Sequence, residues 1–253
     1  MTVWSGGSTL APVLRDVGAV VLDTDGVITD SARVHAAAWK DAFDAFLSEH
    51  PPEDPTQRRP FDVRADYLPY VDGRSRLDGA AAFLASRGFD PSAETVRAVA
   101  ADKERLFTAR LREKSVDAYP GTVRLVHALR RAGKPVAAAS ASRHAGELLI
   151  RAGVLGLFHV LVDGGEAARL GLASKPHPDL FLEAARRLGV PADHAAIVED
   201  ALAGVEAGRR GGFALVVGVD RTVGPDSRAG LVRHGADIVV RDLEELLVAG
   251  TPQ

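Results

Sequence analysis

Apolar positions along the chain follow two rhythms that alternate. Short, nearly unbroken apolar runs occur in GAVVLDTDG (18–26), KPVAAASAS (134–142), FHVLVDG (158–164), HAAIVED (194–200), FALVVGV (213–219) and ADIVV (236–240). A run without a polar face suits a strand covered on both sides, as in a parallel sheet. Between the runs, apolar residues recur at helical spacing in GTVRLVHALRRAG (121–133), RHAGELLIRAG (143–153), PDLFLEAARRLG (178–189) and ALAGVEAGRRGG (201–212), several closed by a glycine suited to a helix C-terminus. Strand and helix in alternation predict βαβ units, and so an α/β fold with a doubly wound, Rossmann-like parallel sheet.

The rhythm breaks between about residues 30 and 115, where helical patterns over 31–50, 75–87 and 92–113 follow one another with no strand. Asp90-Pro91-Ser92 suits the start of the third. Between the first two, HPPEDPTQRRPFDVRADYLP (50–69) is rich in proline and charge and predicts a long loop. The segment therefore reads as an α-helical cap (31–115) inserted into a core made of 17–30 and 116–253, with 1–16 as an N-terminal extension and a frayed tail at 249–253.

Composition narrows the function more than the fold. With 46% hydrophobic and 26% charged residues the chain is globular in character rather than disordered. A net charge of -3 provides no footprint for DNA, RNA or an anionic membrane, so no nucleic-acid or membrane partner is expected. The absence of cysteine removes disulfides, a thiolate nucleophile and Cys-based zinc sites. No run approaches the ~18 apolar residues of a membrane span, and the first residues lack the basic-then-apolar pattern of a secretion signal. A cytoplasmic monomer is the expectation, with oligomers left open.

Four places at the ends of apolar runs carry chemistry. Asp23 and Asp25 leave the first run two residues apart, so that both side chains point to one side if strand geometry persists. Two carboxylates there repel unless a cation joins them, and such oxygen ligands suit Mg²⁺; the plainer alternative is an Asp-Gly turn. Ser140 ends the second run where a helix is expected to begin, which fits either a phosphate cradle or an ordinary cap. Lys175 is one of five lysines against 26 arginines, which fits a place where a compact point charge is needed as well as a solvated loop cation. Glu199 and Asp200 end a further run just before a helix, where one can cap while the other holds metal.

DTDGV (23–27), SAS (140–142), SKP (174–176) and VED (198–200) resemble the four ordered motifs of the haloacid dehalogenase superfamily over the whole chain. DGVITDSARVHAAAWKDAF (25–43), GRSR (73–76), DAYPG (117–121) and ASKPHPDLF (173–181) are similar to its β-phosphoglucomutase-like branch with a helical cap. The resemblance implies Asp23 as nucleophile and metal ligand, and Asp25 as general acid/base whose main-chain carbonyl also faces the metal. Ser140, the Ala141 amide and Lys175 would hold the phosphoryl group, with Glu199 and Asp200 completing a Mg²⁺ site. His35, Trp39, Gly73, Arg76, Lys103, Ser142 and His144 would grip a small phosphorylated sugar. His35 and Trp39, four apart, share one helix face that is equally suited to core packing. Arg76 offers a fork for a second phosphate. Thr24, Gly79, His144 and Ala201 depart from the branch pattern. The expected activity is transfer through an aspartyl-phosphate, as a β-phosphoglucomutase, with a sugar-phosphate phosphatase and a silent phosphosugar-binding protein as alternatives.

Overall fold

The computed structural model describes residues 9–113, 116–221 and 227–248. Positions 1–8 of the extension, 114–115 at the end of the expected cap and the tail at 249–253 lie outside them.

Six strands form the central sheet: β2 (Ala19–Asp23), β3 (Val136–Ala139), β4 (Val160–Val162), β5 (Ala195–Glu199), β6 (Leu215–Val219) and β7 (Ile238–Val240). All pair in parallel, in the order β4-β3-β2-β5-β6-β7. From β2 the chain winds outward one way through β3 and β4, then returns to the far side of β2 for β5, β6 and β7. That reversal opens a crevice at the carboxyl ends of the strands beside β2, where ligands bind in sheets of this kind. Two further strands, β1 (Thr9–Leu10) and β8 (Leu247–Val248), pair antiparallel as a separate ribbon; at two residues each they leave no periodic trace.

Successive strand residues feed opposite faces, as the pleat requires. Val20, Leu22, Val136, Ala138 and Val198 pack on one face with Leu125 and Leu129, while Ala19, Val21, Ala137 and Ile197 pack on the other with Phe181 and Val205. Burial on both sides is why the runs show no polar alternation.

Between β2 and β3 lie α1 (Ala32–Glu49), α2 (Leu68–Tyr70), α3 (Arg76–Ser86), α4 (Ala93–Glu113) and α5 (Pro120–Arg131), and the rest of the sheet is connected by α6 (Ala145–Arg151), α7 (Gly164–Leu170), α8 (Asp179–Leu188), α9 (Leu202–Arg210) and α10 (Ser227–Arg233). Helices α1, α3 and α4 bury an aromatic cluster of their own, with Trp39, Phe43, Phe61 and Phe83 among its members. The stretch read as a long loop carries more structure than expected: a 3-10 turn (Pro55–Gln57), a π-helical turn (Val63–Tyr67) and α2. One buried carboxylate organises it. Asp66 takes both Arg59 guanidinium nitrogens, at 2.7 and 2.6 Å, and Arg87 Nη2 at 2.7 Å.

The two chain segments that join this helical block to the sheet run side by side. Asp30 N–H donates to the Asp117 carbonyl at 3.0 Å, and Tyr119 N–H to that of Ile28 at 2.9 Å, with Thr29 and Ala118 bridging antiparallel.

Candidate active site

Strand β2 stops at Asp23, and the chain then folds back on itself, with Ile28 and Thr29 N–H both reaching the Thr24 carbonyl at 2.9 Å. The expected continuous strand is thus absent, yet both carboxyl groups line one cleft of about 230 Å³. The turn needs Gly26: its φ is +83°, and a Cβ there would stand 1.9 Å from Asp200 Oδ2.

On the sheet side, Lys175 Nζ donates to Asp23 Oδ1 at 2.6 Å and to Glu199 Oε1 at 2.5 Å. Burial opposes its charge, but the two carboxylates outweigh that and raise its pKa, so the ammonium stays protonated. Glu199 Oε2 accepts the Ala201 amide at 2.6 Å, so both of its oxygens are engaged by protein donors. Burial drives Asp23 well up, with the charges of Glu199 and Asp25 adding to it and Lys175 opposing. Asp200 is pushed well up in the same way, by burial first and then by Asp72, Glu199 and Asp23. Carboxylates outnumber the ammonium that binds them, and a further cation at Asp23 and Asp200 would relieve the excess. Among the described residues no three acidic or histidine side chains stand together as a ready cage. Mg²⁺ does not need one, since it is held by one or two carboxylates together with water and substrate oxygens. The hard-oxygen donors Asp23 and Asp200 fit that ion.

Ser140 is fully buried at the end of β3; its hydroxyl donates to Asp25 Oδ2 at 3.3 Å and accepts the Ser142 amide at 3.1 Å. Helix α6 begins only at Ala145, so the expected helix start at Ser140 is a loop. In that loop the Ala141 amide has no acceptor among the described residues.

The helical block closes the cleft from above. His35 Nε2 lies 3.3 Å from Asp25 Oδ1, Lys103 Nζ donates to His35 Nδ1 at 2.9 Å, and the His35 ring stacks on Phe107 at 4.0 Å. Burial lowers His35, helped by Lys103, while burial, with the Arg76 charge adding to it against Glu104 and Asp25, pulls Lys103 down to about 8. For Asp25, burial is outweighed by His35, Ser31 and Lys103, which hold the carboxyl well below its usual range. Ser31 Oγ donates to the same Asp25 oxygen as His35 faces. Trp39 reaches the cleft and is also core: it is buried against Phe43 with ring centres 4.8 Å apart. Gly73, at φ +70°, lets the chain pass so close to the sheet domain that a Cβ would stand 2.9 Å from the Ala201 Cβ. Arg76 and Ser142 line the cleft, and His144 stands behind them, its amide donating to the Ser142 hydroxyl at 3.2 Å and its ring bonded to Glu104.

Of the site residues singled out in the sequence, all but Ser140 and His144 line this cleft; Ser140 reaches it through its bond to Asp25 and His144 through Glu104. Further side chains line the cleft without having been singled out, Tyr67, Asp72 and Glu104 among them. Asp72 N–H donates to the Tyr67 carbonyl at 2.9 Å, and burial pushes the Asp72 carboxyl up to about 7, with Glu199 adding to it. The fragment VDGRSR places Asp72 directly before the motif glycine, the one local signal available for it.

A family model for haloacid dehalogenase-like hydrolases matches residues 17–212. The β-phosphoglucomutase of Mycobacterium tuberculosis is 43% identical over 240 residues, which cover 91% of this chain and 92% of that protein. That of Bacillus subtilis is 35% identical over 237 residues, covering 90% and 91%. Among solved structures, a β-phosphoglucomutase from Clostridium difficile matches with a TM-score of 0.68 over 91% of this chain and 93% of that one; at 24% identity it speaks for the fold alone.

Proposed function

Since the chain belongs to the haloacid dehalogenase-like hydrolase family and is an enzyme of the β-phosphoglucomutase-like kind, we propose that it converts β-glucose 1-phosphate to glucose 6-phosphate through a bound bisphosphate. The observation that carries this reading is a cleft with two ends that suit anions. Lys175 and Ala141 line it beside Asp23, with Ser140 bonded to Asp25, and Arg76 lines it from the helical block beside Glu104, to which His144 is bonded. A mutase must hold a sugar by one phosphate while the other is transferred, so that remote binding energy organises the reacting group.

Mg²⁺ held by Asp23, Asp200 and the Asp25 carbonyl would supply charge neutralisation for the phosphoryl group. Glu199 enters the proposal as the partner that fixes Lys175, because its oxygens are already spoken for. Lys175 holds Asp23 by Oδ1 and leaves Oδ2 for in-line attack on phosphorus. The aspartyl-phosphate then meets the sugar hydroxyl. Asp25, kept ionised by His35 and Ser31, takes the proton of that hydroxyl as its oxygen bonds to phosphorus and the bond to Asp23 breaks. In the second half-reaction the bisphosphate gives its other phosphoryl back to Asp23, and Asp25 returns the proton to the departing oxygen. Ser140 and the Ala141 amide steady the phosphoryl oxygens, and the helical cover keeps water from competing for the intermediate. The small sugar phosphate substrate and a cytoplasmic site of action belong to the same reading.

The test is a product assay on β-glucose 1-phosphate with and without glucose 1,6-bisphosphate. Primer-dependent glucose 6-phosphate, with little inorganic phosphate, is expected; phosphate released as fast as substrate is consumed would replace the mutase by a sugar-phosphate phosphatase. Asp23→Asn should lose turnover and the acid-stable phosphoenzyme seen by intact mass together, since an amide cannot form the acyl-phosphate.

A further inference from the structure

Glu104 lies in the cleft with no part in the chemistry above, and it is an acid placed among groups that suit an anion. It sits on α4, in the helical block. Its Oε1 accepts a hydrogen bond from His144 Nε2, which belongs to the sheet domain. Its Oε2 lies 3.6 Å from Arg76 Nη1 on α3, and that nitrogen also donates to the Ala100 carbonyl at 2.9 Å. On its far side His144 meets Glu147, Nδ1 to Oε2 at 3.5 Å, and its ring lies against Phe107. A guanidinium and an imidazole are therefore gathered around one carboxylate of the same chain. Carboxylate and phosphate oxygens engage a guanidinium through the same fork, so the trio has the form of an occupied anion site.

We propose that Glu104 is a built-in occupant of the outer phosphate subsite: in the free protein it holds Arg76 and His144 in place and ties the helical block to the sheet domain, and it is displaced when the second phosphate of a bisphosphate enters. This rests on the reading of Arg76 and His144 as the outer phosphate site. It adds a specificity device to that site. A ligand gains entry only if its anion competes with an intramolecular carboxylate, which a phosphate dianion does and a neutral sugar hydroxyl does not. The cost is affinity: part of the bisphosphate's binding energy goes into breaking the internal contacts.

Binding is measured calorimetrically with glucose 1,6-bisphosphate in an Asp23→Asn background, which takes up no phosphoryl group. Glu104→Gln keeps the shape and removes the charge; it should tighten bisphosphate binding by about two- to fivefold, the range of a partly exposed ion pair. In an Arg76→Ala background, itself expected to bind more weakly, the same change should give no such gain, because the competition is for Arg76. Glu104→Asp should fall between wild type and Gln. Amide exchange in α4 of the ligand-free protein is a second readout, expected to speed up in Glu104→Gln as the tie to His144 is lost. Bisphosphate affinity that falls or stays unchanged in Glu104→Gln overturns the proposal, while the functional reading stands if Arg76→Ala weakens binding. Unchanged affinity in Arg76→Ala overturns the functional reading and the proposal with it. A Glu104→Gln gain that persists in the Arg76→Ala background overturns the displacement while leaving Glu104 a simple source of repulsion.

Discussion

The Glu104–His144 contact titrates at both ends, and its pH window follows from the two shifts. The hydrogen bond to His144 lowers Glu104 to about 2, against burial, so its contribution is whole above the ordinary 4.5 and lost as pH falls through 2. The same bond raises His144 above its ordinary 6.5, so its contribution is whole below 6.5 and lost as pH rises through the elevated pKa. Glu147, Lys103, Arg76 and His35 surround the pair and set its local field. The stability difference between wild type and Glu104→Gln in urea should therefore be largest between pH 4.5 and 6.5 and shrink on either side. A difference that stays flat from pH 5 to pH 9 would show that the pair is no tie. At this scale Asp23, Asp25, Ser140, Glu199 and Asp200 were legible because they sit where an apolar run stops, whereas Lys175 lies in the loop between α7 and α8 and no strand end marks it. Glu104 was not legible, because in ADKER it has the pattern of a solvent-facing helical charge; only the seating of one part of the chain on another makes it internal.

Elements were legible in proportion to the apolar surface they bury. The six sheet strands, buried on both faces, and the long helices α1, α3 and α4 follow from the pattern alone. The ribbon of β1 and β8 is too short to show a period, and α7 and α10 bury at most one large apolar side chain, whereas α6, also of seven residues, buries Leu148 and Leu149. The turns between α1 and α3 escaped for another reason: they are held by Asp66, which gathers arginines from positions 59 and 87, and no local rhythm encodes such a long-range contact. Asp66→Ala should consequently leave the Arg87 guanidinium, whose side chain is 1% exposed, without its carboxylate. The expected loss is about 3–5 kcal/mol, the cost of stripping a buried charge of its partner. It should be confined to the helical block, so amide exchange should quicken in α1 and α3 and change little in β2 and β5. Equal quickening in the sheet would mean that helices and sheet unfold as one unit.

For the whole molecule, the excess of buried carboxylates at the crevice makes folding and cation binding linked quantities. Mg²⁺ bound by Asp23 and Asp200 in the folded state alone stabilises it by mass action, about 2.7 kcal/mol at a concentration a hundredfold above the dissociation constant. The melting temperature in chelator should rise as Mg²⁺ is added, and Asp200→Asn should blunt that rise; a melting curve indifferent to Mg²⁺ would remove the ion from the site.

The paired segments at Asp30–Asp117 and Ile28–Tyr119 carry a mechanical meaning. A single tether would let the helical block wander through many orientations, whereas two straps fastened to each other behave like a leaf hinge, stiff against twist and sideways shear and compliant in one direction of bending. A swing of the block in that one direction would return His35 over Asp25 and Gly73 to Ala201 without a search through rotations.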